Sequence, residues 1–395
     1  MLRVAPAVVT LVVALLMAIE LAAQTPHRAR DLHVPFDGTP GQFNAITDVP
    51  GVTVGHTTLI SGSGKLQRGV GPVRTGVTAI LPRGADNPAP VFAGYFSQNG
   101  NGEMTGMAWV EESGFATSPI MITNTHSVGL VRDTVIKWQL AQADKAHRPM
   151  QPWSLPIVAE TWDGFLNDIN GFHVHEEHVL AALDNAKSGP VQEGAVGGGT
   201  GMICYGFKGG IGTSSRKLPD AAGGYTVGVL VQCNCGRRPQ LLIAGVPVGK
   251  EIPGQVPYAM NASPTGQELG SIIIVVATDA PLVSQQLKRL THRATLGLGR
   301  TGSVSGNGSG DLFLAFSTAN EAAGGPGGSP VRELKMLTND AMDPLFTATV
   351  EATEEAIVNA MVAADTMTGV DGHTAIGLPR AQLVEVLKKY NRLAP

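Results

Sequence analysis

From Ile272 to Ala277 the chain is apolar at every position and mostly β-branched, the pattern of a strand buried on both faces and too short for a helix. Leu312 to Phe316 forms a second such run. Shorter runs at Gly76–Pro82, Pro90–Phe96, Pro119–Thr125, Pro156–Glu160 and Tyr225–Gln232 predict further strands, each bounded by Gly, Pro or Asn. Ile46 to Leu59 reads as two short strands about a Pro50-Gly51 turn. Elsewhere the spacing changes to three and four. Val128, Val131, Val135 and Trp138 share a helical face in a stretch reaching Lys137. Val283, Leu287, Leu290 and Ala294 do the same in a helix begun by Asp279 and Pro281 and ended near Gly297–Gly299. Thr349–Met367 and Arg380–Tyr390 complete the helices, the last burying Leu383, Val384, Val386 and Leu387. Without any internal repeat, this mixture predicts an α+β fold of stacked sheets covered by helices.

Residues 1–23 place Arg3 before the apolar run Val8–Ile19 and end on Leu21-Ala22-Ala23, a signal-peptide pattern, with an uncleaved anchor as the alternative. The protein is therefore expected to be periplasmic or secreted. Residues 24–45 lack periodicity and read as an arm, and residues 46–395 as a single catalytic domain. The 43% apolar content is ample for a core, and the formal charge of −4 provides no basic stripe for nucleic acid. Three cysteines make no disulfide framework. Cys233 and Cys235, two apart at a strand end, are expected to face apart and not to bridge. All three cysteines, Cys204 included, then read as buried thiols.

The chemistry concentrates at Gly270-Ser271, where a polar loop meets the strand Ile272–Ala277. A serine at the mouth of a buried strand is rigidly held, and a glycine before it lets the intervening bond be bent and approached closely. If the hydroxyl attacks the Gly270 carbonyl, the chain breaks and Ser271 gains a free α-amine. That amine titrates near pH ~8 and can serve as base for its own hydroxyl. Ordinary turn chemistry would equally put Gly-Ser before a strand. The Pro- and Gly-rich stretch 236–266 supplies an exposed connection ahead of it. Glu160, delivered at a strand end, is either a pocket anion or a solvated turn carboxylate. Asn234 is a candidate oxyanion donor. Ser309 and Asp311, if extended, share a face. His173, His175 and His178 lack a converging ligand spacing, and Gly194–Gly201 lacks the residues of a phosphate loop, so no metal and no cofactor are expected.

Taken in order, Asp48–His56, Thr123–Thr125, Glu160–Gly164, Glu193–Gly201, Asn234, Gly270-Ser271 and Gly306–Asp311 make the chain resemble the family of the L-aminopeptidase/D-esterase and the bacterial β-peptidyl aminopeptidases, from about Ile46 to Leu378. The resemblance implies a four-layer αββα sandwich of N-terminal-nucleophile-hydrolase type, self-cleaved into 24–270 and 271–395, whose fragments stay together. It makes Ser271 the nucleophile, Ser309 and Asp311 its hydrogen-bonded partners, Asn234 an oxyanion donor and Glu160 the anchor for a substrate amine. Trp162 stands where some relatives carry Tyr, and its indole N–H would donate toward the oxyanion. The expected substrates are small peptides, amino-acid amides or esters, including β- or D-residues, and the expected assembly is a homo-oligomer of cleaved units. Two other readings remain: an acyl transferase of the ornithine acetyltransferase type, and a non-catalytic periplasmic binding protein.

Overall fold

The β-branched runs become the strands of two sheets in the computed structural model, which describes residues 28–146, 153–257, 268, 270–324 and 329–394. The expected signal segment and most of the loop ahead of Gly270 lie outside the described residues. One sheet has four strands in the order β1 (Thr53–Ser61), β2 (Val73–Leu81), β5 (Ile120–Asn124), β6 (Ile157–Thr161). The other has six, in the order β4 (Phe115–Ala116), β3 (Val91–Gly100), β12 (Gly310–Ser317), β11 (Ser271–Thr278), β10 (Thr226–Asn234), β9 (Gly210–Lys217). Strands β7 (Ile203–Cys204) and β8 (Phe207–Lys208) form a small hairpin beside it.

Period two along β11 explains the stacking. Ile273, Val275 and Ala277 point inward and meet Ile80, Ile120, Ile122 and Ala159 of the four-stranded sheet. Ile272, Ile274 and Val276 point outward and pack with α4 (Ser284–Arg300) and α5 (Asp343–Val362) through Leu287, Leu290, Ala352 and Ala356. Beyond the four-stranded sheet, Val77, Ala79, Met121 and Val158 pack under α2 (Val128–Lys145) and α3 (Glu176–Asp184). The layers are therefore helix, sheet, sheet, helix. Each buried Ile or Val contributes about 1.5–3 kcal/mol relative to exposure, so a strand buried on both sides is held about as firmly as this fold can hold one.

The sheets are antiparallel except at β5–β6 and β11–β12, where α2 and α4 provide the crossovers. Parallel pairing sends strand ends in one direction. Stacking of the two sheets then brings the end of β6, at Glu160, and the start of β11, at Ser271, to one cleft.

Element boundaries differ from the sequence reading for identifiable reasons. Ile46–Asp48 is a 3-10 turn and not a first strand, because the Asp48 carboxylate accepts from the Phe43 and Ala45 amides at 2.9 and 3.1 Å. Asp279 does not start α4. Its carboxylate ties down the Thr226 amide at 2.7 Å, and the helix begins at Ser284 and runs through Gly297 and Gly299. Helix α5 starts six residues before Thr349, with Pro344 in its first turn, and ends at Val362 rather than Met367. The arm, from Arg28 on, is pinned to the body: Arg28 pairs with Glu193 at 2.7 Å and Arg30 with Glu355 at 2.8 Å. The cysteines also depart from expectation. Side chains two apart on a strand share a face, and the Cys233 and Cys235 sulfurs lie 3.7 Å apart.

Candidate active site

Ser271 opens β11 in the interior of the six-stranded sheet, flanked in register by Asn234 of β10 and Gly310 of β12. Its hydroxyl donates to the Gly270 carbonyl oxygen at 2.6 Å, across the bond it would have to attack. The same oxygen accepts from the Gly310 amide at 3.1 Å. The carbonyl is thus already polarised by two donors. Close packing explains both glycines. A Cβ on Gly270 would lie 2.6 Å from the Asn234 carbonyl oxygen, and one on Gly310 would lie 2.4 Å from that of Asn101.

Asn234 is clamped. Its side-chain oxygen accepts from the Ile203 amide at 2.8 Å, and its side-chain nitrogen donates to the Trp162 carbonyl at 3.0 Å. An amide nitrogen carries two hydrogens, so one remains for a ligand in the cleft that Asn234 lines. Ser309 is fully buried and donates to Asp311 Oδ1 at 2.7 Å. No hydrogen bond joins Ser309 to Ser271 in this unbroken chain. Asp311 Oδ2 is buried without a hydrogen-bond partner. Burial pushes the Asp311 carboxyl above its ordinary pKa, opposed by the Ser309 hydroxyl.

Glu160, 4% exposed, is the penultimate residue of β6. Its Oε1 accepts from the Glu103 amide at 2.9 Å, and its Oε2 accepts a short hydrogen bond from the Thr125 hydroxyl. Burial raises its pKa, and those two donors hold it back. The solvated-turn alternative is therefore wrong: this carboxylate is enclosed and oriented. Behind it Asp163, fully buried and pushed up to about 6 by burial, accepts from Asn124 and Asn167 and keeps the turn in shape. Trp162 is 43% exposed at the rim, its ring packed over Gly164.

One cleft of about 490 Å³ is lined by Asn101, Gly102, Glu103, Thr125, Glu160, Trp162, Asn234, Gly270, Ser271 and Gly308, whereas Ser309 and Asp311 lie buried behind it and do not line it. A second cavity of about 240 Å³, at the opposite ends of β5 and β6 around Trp138 and Pro119, holds none of the expected site residues. The cleft offers a serine hydroxyl, a side-chain amide donor and a buried carboxylate. That set suits acyl transfer from a substrate carrying a free amine.

Some contributors were not legible as functional residues. Thr125 stands at the end of β5, whose parallel register with β6 puts Thr123 opposite Glu160, so the pairing of two strand ends was the available signal. The Gly310 and Glu103 amides act through backbone, which no side-chain pattern reports. Glu268, three residues before Ser271, is buried and accepts from the Gly236 and Gly306 amides at 3.0 and 3.3 Å. His173 bonds Asp168 at 2.9 Å, away from His175 and His178, whose rings stack 5.5 Å apart at the exposed start of α3.

Comparison with known proteins bears on the family and the fold. Residues 44–375 match the description Peptidase family S58. The β-peptidyl aminopeptidase BapA of Sphingosinicella microcystinivorans is 54% identical over 97% of both chains, and that of Sphingosinicella xenopeptidilytica is 48% identical over 97% of this chain and 96% of its own. Among solved structures, the L-aminopeptidase D-Ala-esterase/amidase of Ochrobactrum anthropi, described as a variant of the Ntn hydrolase fold, superposes with a TM-score of 0.85 at 47% identity. It covers 94% of this chain and 100% of that one. A Burkholderia sp. β-aminopeptidase gives 0.82 at 48% identity, over 92% of this chain and 99% of that one.

Proposed function

This chain belongs to peptidase family S58, with the Ntn-hydrolase fold of its aminopeptidase relatives, and from that premise we propose that it is a self-processing serine aminopeptidase acting through Ser271. The observation that carries the proposal is the Ser271 hydroxyl against the Gly270 carbonyl, at the head of an immobile strand and with the Gly310 amide on the same oxygen.

In the precursor, Ser271 Oγ attacks the Gly270 carbonyl carbon and the negative charge gathers on the oxygen bonded to the Gly310 amide. The C–N bond breaks, leaving an ester on Oγ and a free amine on Ser271, and water hydrolyses the ester to a Gly270 carboxylate. The new ammonium forms one residue from Ile272, the register partner of Asp311, whose unpartnered Oδ2 is a fitting counter-charge.

In the mature enzyme, the α-amine takes the hydroxyl proton as Oγ attacks the substrate carbonyl. Asn234 Nδ2 donates to the tetrahedral oxyanion, the leaving amine receives the proton, and water releases the acyl group. Glu160 binds the substrate's ammonium, which fixes the enzyme to N-terminal residues. The relatives' activity supports N-terminal β-amino residues as the first substrates to try, followed by D- and L-aminoacyl amides and esters. The residue 1–23 pattern supports export, and further copies of the cleaved unit are the expected partners in a homo-oligomer. The acyl-transferase and binding-protein readings have no observation in their favour.

Denaturing electrophoresis with amino-terminal sequencing tests this reading. Active protein should give two bands, the shorter beginning at Ser271 and the longer beginning after the signal segment. Ser271→Ala should give one uncut, inactive band. A single full-length band from active enzyme overturns the proposal.

A further inference from the structure

Cys204 of β7, Cys233 of β10 and Cys235 just beyond it bring three sulfurs within 4.8 Å of one another, in a core where each residue is 0–1% exposed. All three are free thiols. Two edges of the triangle, 3.7 Å for Cys233–Cys235 and 3.9 Å for Cys204–Cys235, are informative. Sulfurs bound ~2.3 Å from one ion stand ~3.8 Å apart in a tetrahedral arrangement and ~4.0 Å apart in a trigonal one. Two edges therefore match those spacings, and the third, Cys204–Cys233, lies within 4.8 Å.

The neighbouring charge fits as well. Lys208 is fully buried, and its ammonium donates to the carbonyls of Met202 and Gly209 at 2.8 Å and, more weakly, Gly199 at 3.4 Å. Three thiolates, one divalent cation and one ammonium sum to zero, the condition a dry core demands. All-sulfur ligation selects soft, thiophilic ions over Mg²⁺ or Ca²⁺.

The position of the cluster gives it a consequence. Asn234 stands between Cys233 and Cys235, and its side-chain oxygen is held by the amide of Ile203, the residue before Cys204. Every candidate ligand is therefore a chain neighbour of Asn234 or of the residue that holds its side chain.

We propose that Cys204, Cys233 and Cys235 form a binding site for one thiophilic divalent cation, and that its occupancy displaces Asn234 and slows turnover. On binding, the thiol protons exchange for the cation and leave to solvent, while the sulfurs keep their oxidation state. Nothing in this requires Ser271 to be the nucleophile.

The test is titration of the full chain with Cd²⁺, Mg²⁺ serving as control. One equivalent of Cd²⁺ should produce sulfur-to-metal charge-transfer absorption and a cadmium NMR resonance in the all-sulfur range. Turnover should fall several-fold with KM little changed, since Glu160 is untouched, and a chelator should restore it. Cys204→Ser and Cys235→Ser should each weaken binding at least tenfold. If those variants fail to fold, the wild-type NMR resonance still decides the ligand set. No absorption band at one equivalent, or a resonance reporting oxygen or nitrogen ligands, overturns the site. A band with no change in turnover overturns the coupling to Asn234. Because absorption and NMR need no catalysis, failure here is distinguishable from failure of the proposed function.

Discussion

The two sheets contribute to the cleft in different ways. The six-stranded sheet presents Ser271 and Asn234 from neighbouring inner strands, with cores packed on both faces. The four-stranded sheet presents Glu160 from β6, a strand at its edge, and orients it with a loop amide and the Thr125 hydroxyl. Under the proposed mechanism, the first arrangement fixes geometry where a small displacement costs rate, and the second holds a charge that recognises the substrate. On that reading the chemistry would sit on strands buried on both faces, and selectivity on a strand at a sheet edge.

Substitutions on the two sheets should separate these roles. Asn234→Ala, on the rigid side, should lower kcat about 100-fold or more with little change in KM, measured with a β-aminoacyl amide. A change confined to KM would erase the distinction. Glu160→Gln, on the edge side, should raise KM for free-amine substrates about 10- to 100-fold, the loss of a charge-assisted contact worth about 1.5–3 kcal/mol. N-acylated esters, which carry no ammonium, should be nearly unaffected, and equal losses on both classes would remove the assigned role. The smallest effect is in pH. Burial holds the Glu160 pKa above its ordinary 4.5, so the carboxylate is present above that raised value and protonates as pH falls through it. KM in the wild type should rise several-fold toward acid, and this dependence should vanish in Glu160→Gln.

The same contrast explains what could be read from the chain alone. Ser271 was legible because Ile272–Ala277 is continuously apolar, and Glu160 because Pro156–Glu160 is a short run that stops at an acid. Both are side chains at strand ends, where residue type and position coincide. The Gly310 and Glu103 amides were not legible, since every residue has one and only the register decides which oxygen it meets. Helix ends were misplaced where a tertiary contact competed with the local signal, as when Asp279 capped the Thr226 amide instead of a helix. The thiol triangle was missed in a different way. Period two places Cys233 and Cys235 together, but Cys204 joins them only through the fold.

The placement of β11 and β12 between β10 and β3 has a mechanical consequence. A cut at 270/271 would create a new terminus at the head of an inner strand, hydrogen-bonded along both edges and sealed above and below by apolar side chains. Neither piece could then depart without dismantling the sheet that both complete, so the severed polypeptide would still melt as one body. In such an architecture the backbone bond ahead of Ser271 would be scaffolding for assembly, expendable once the strands had closed around it.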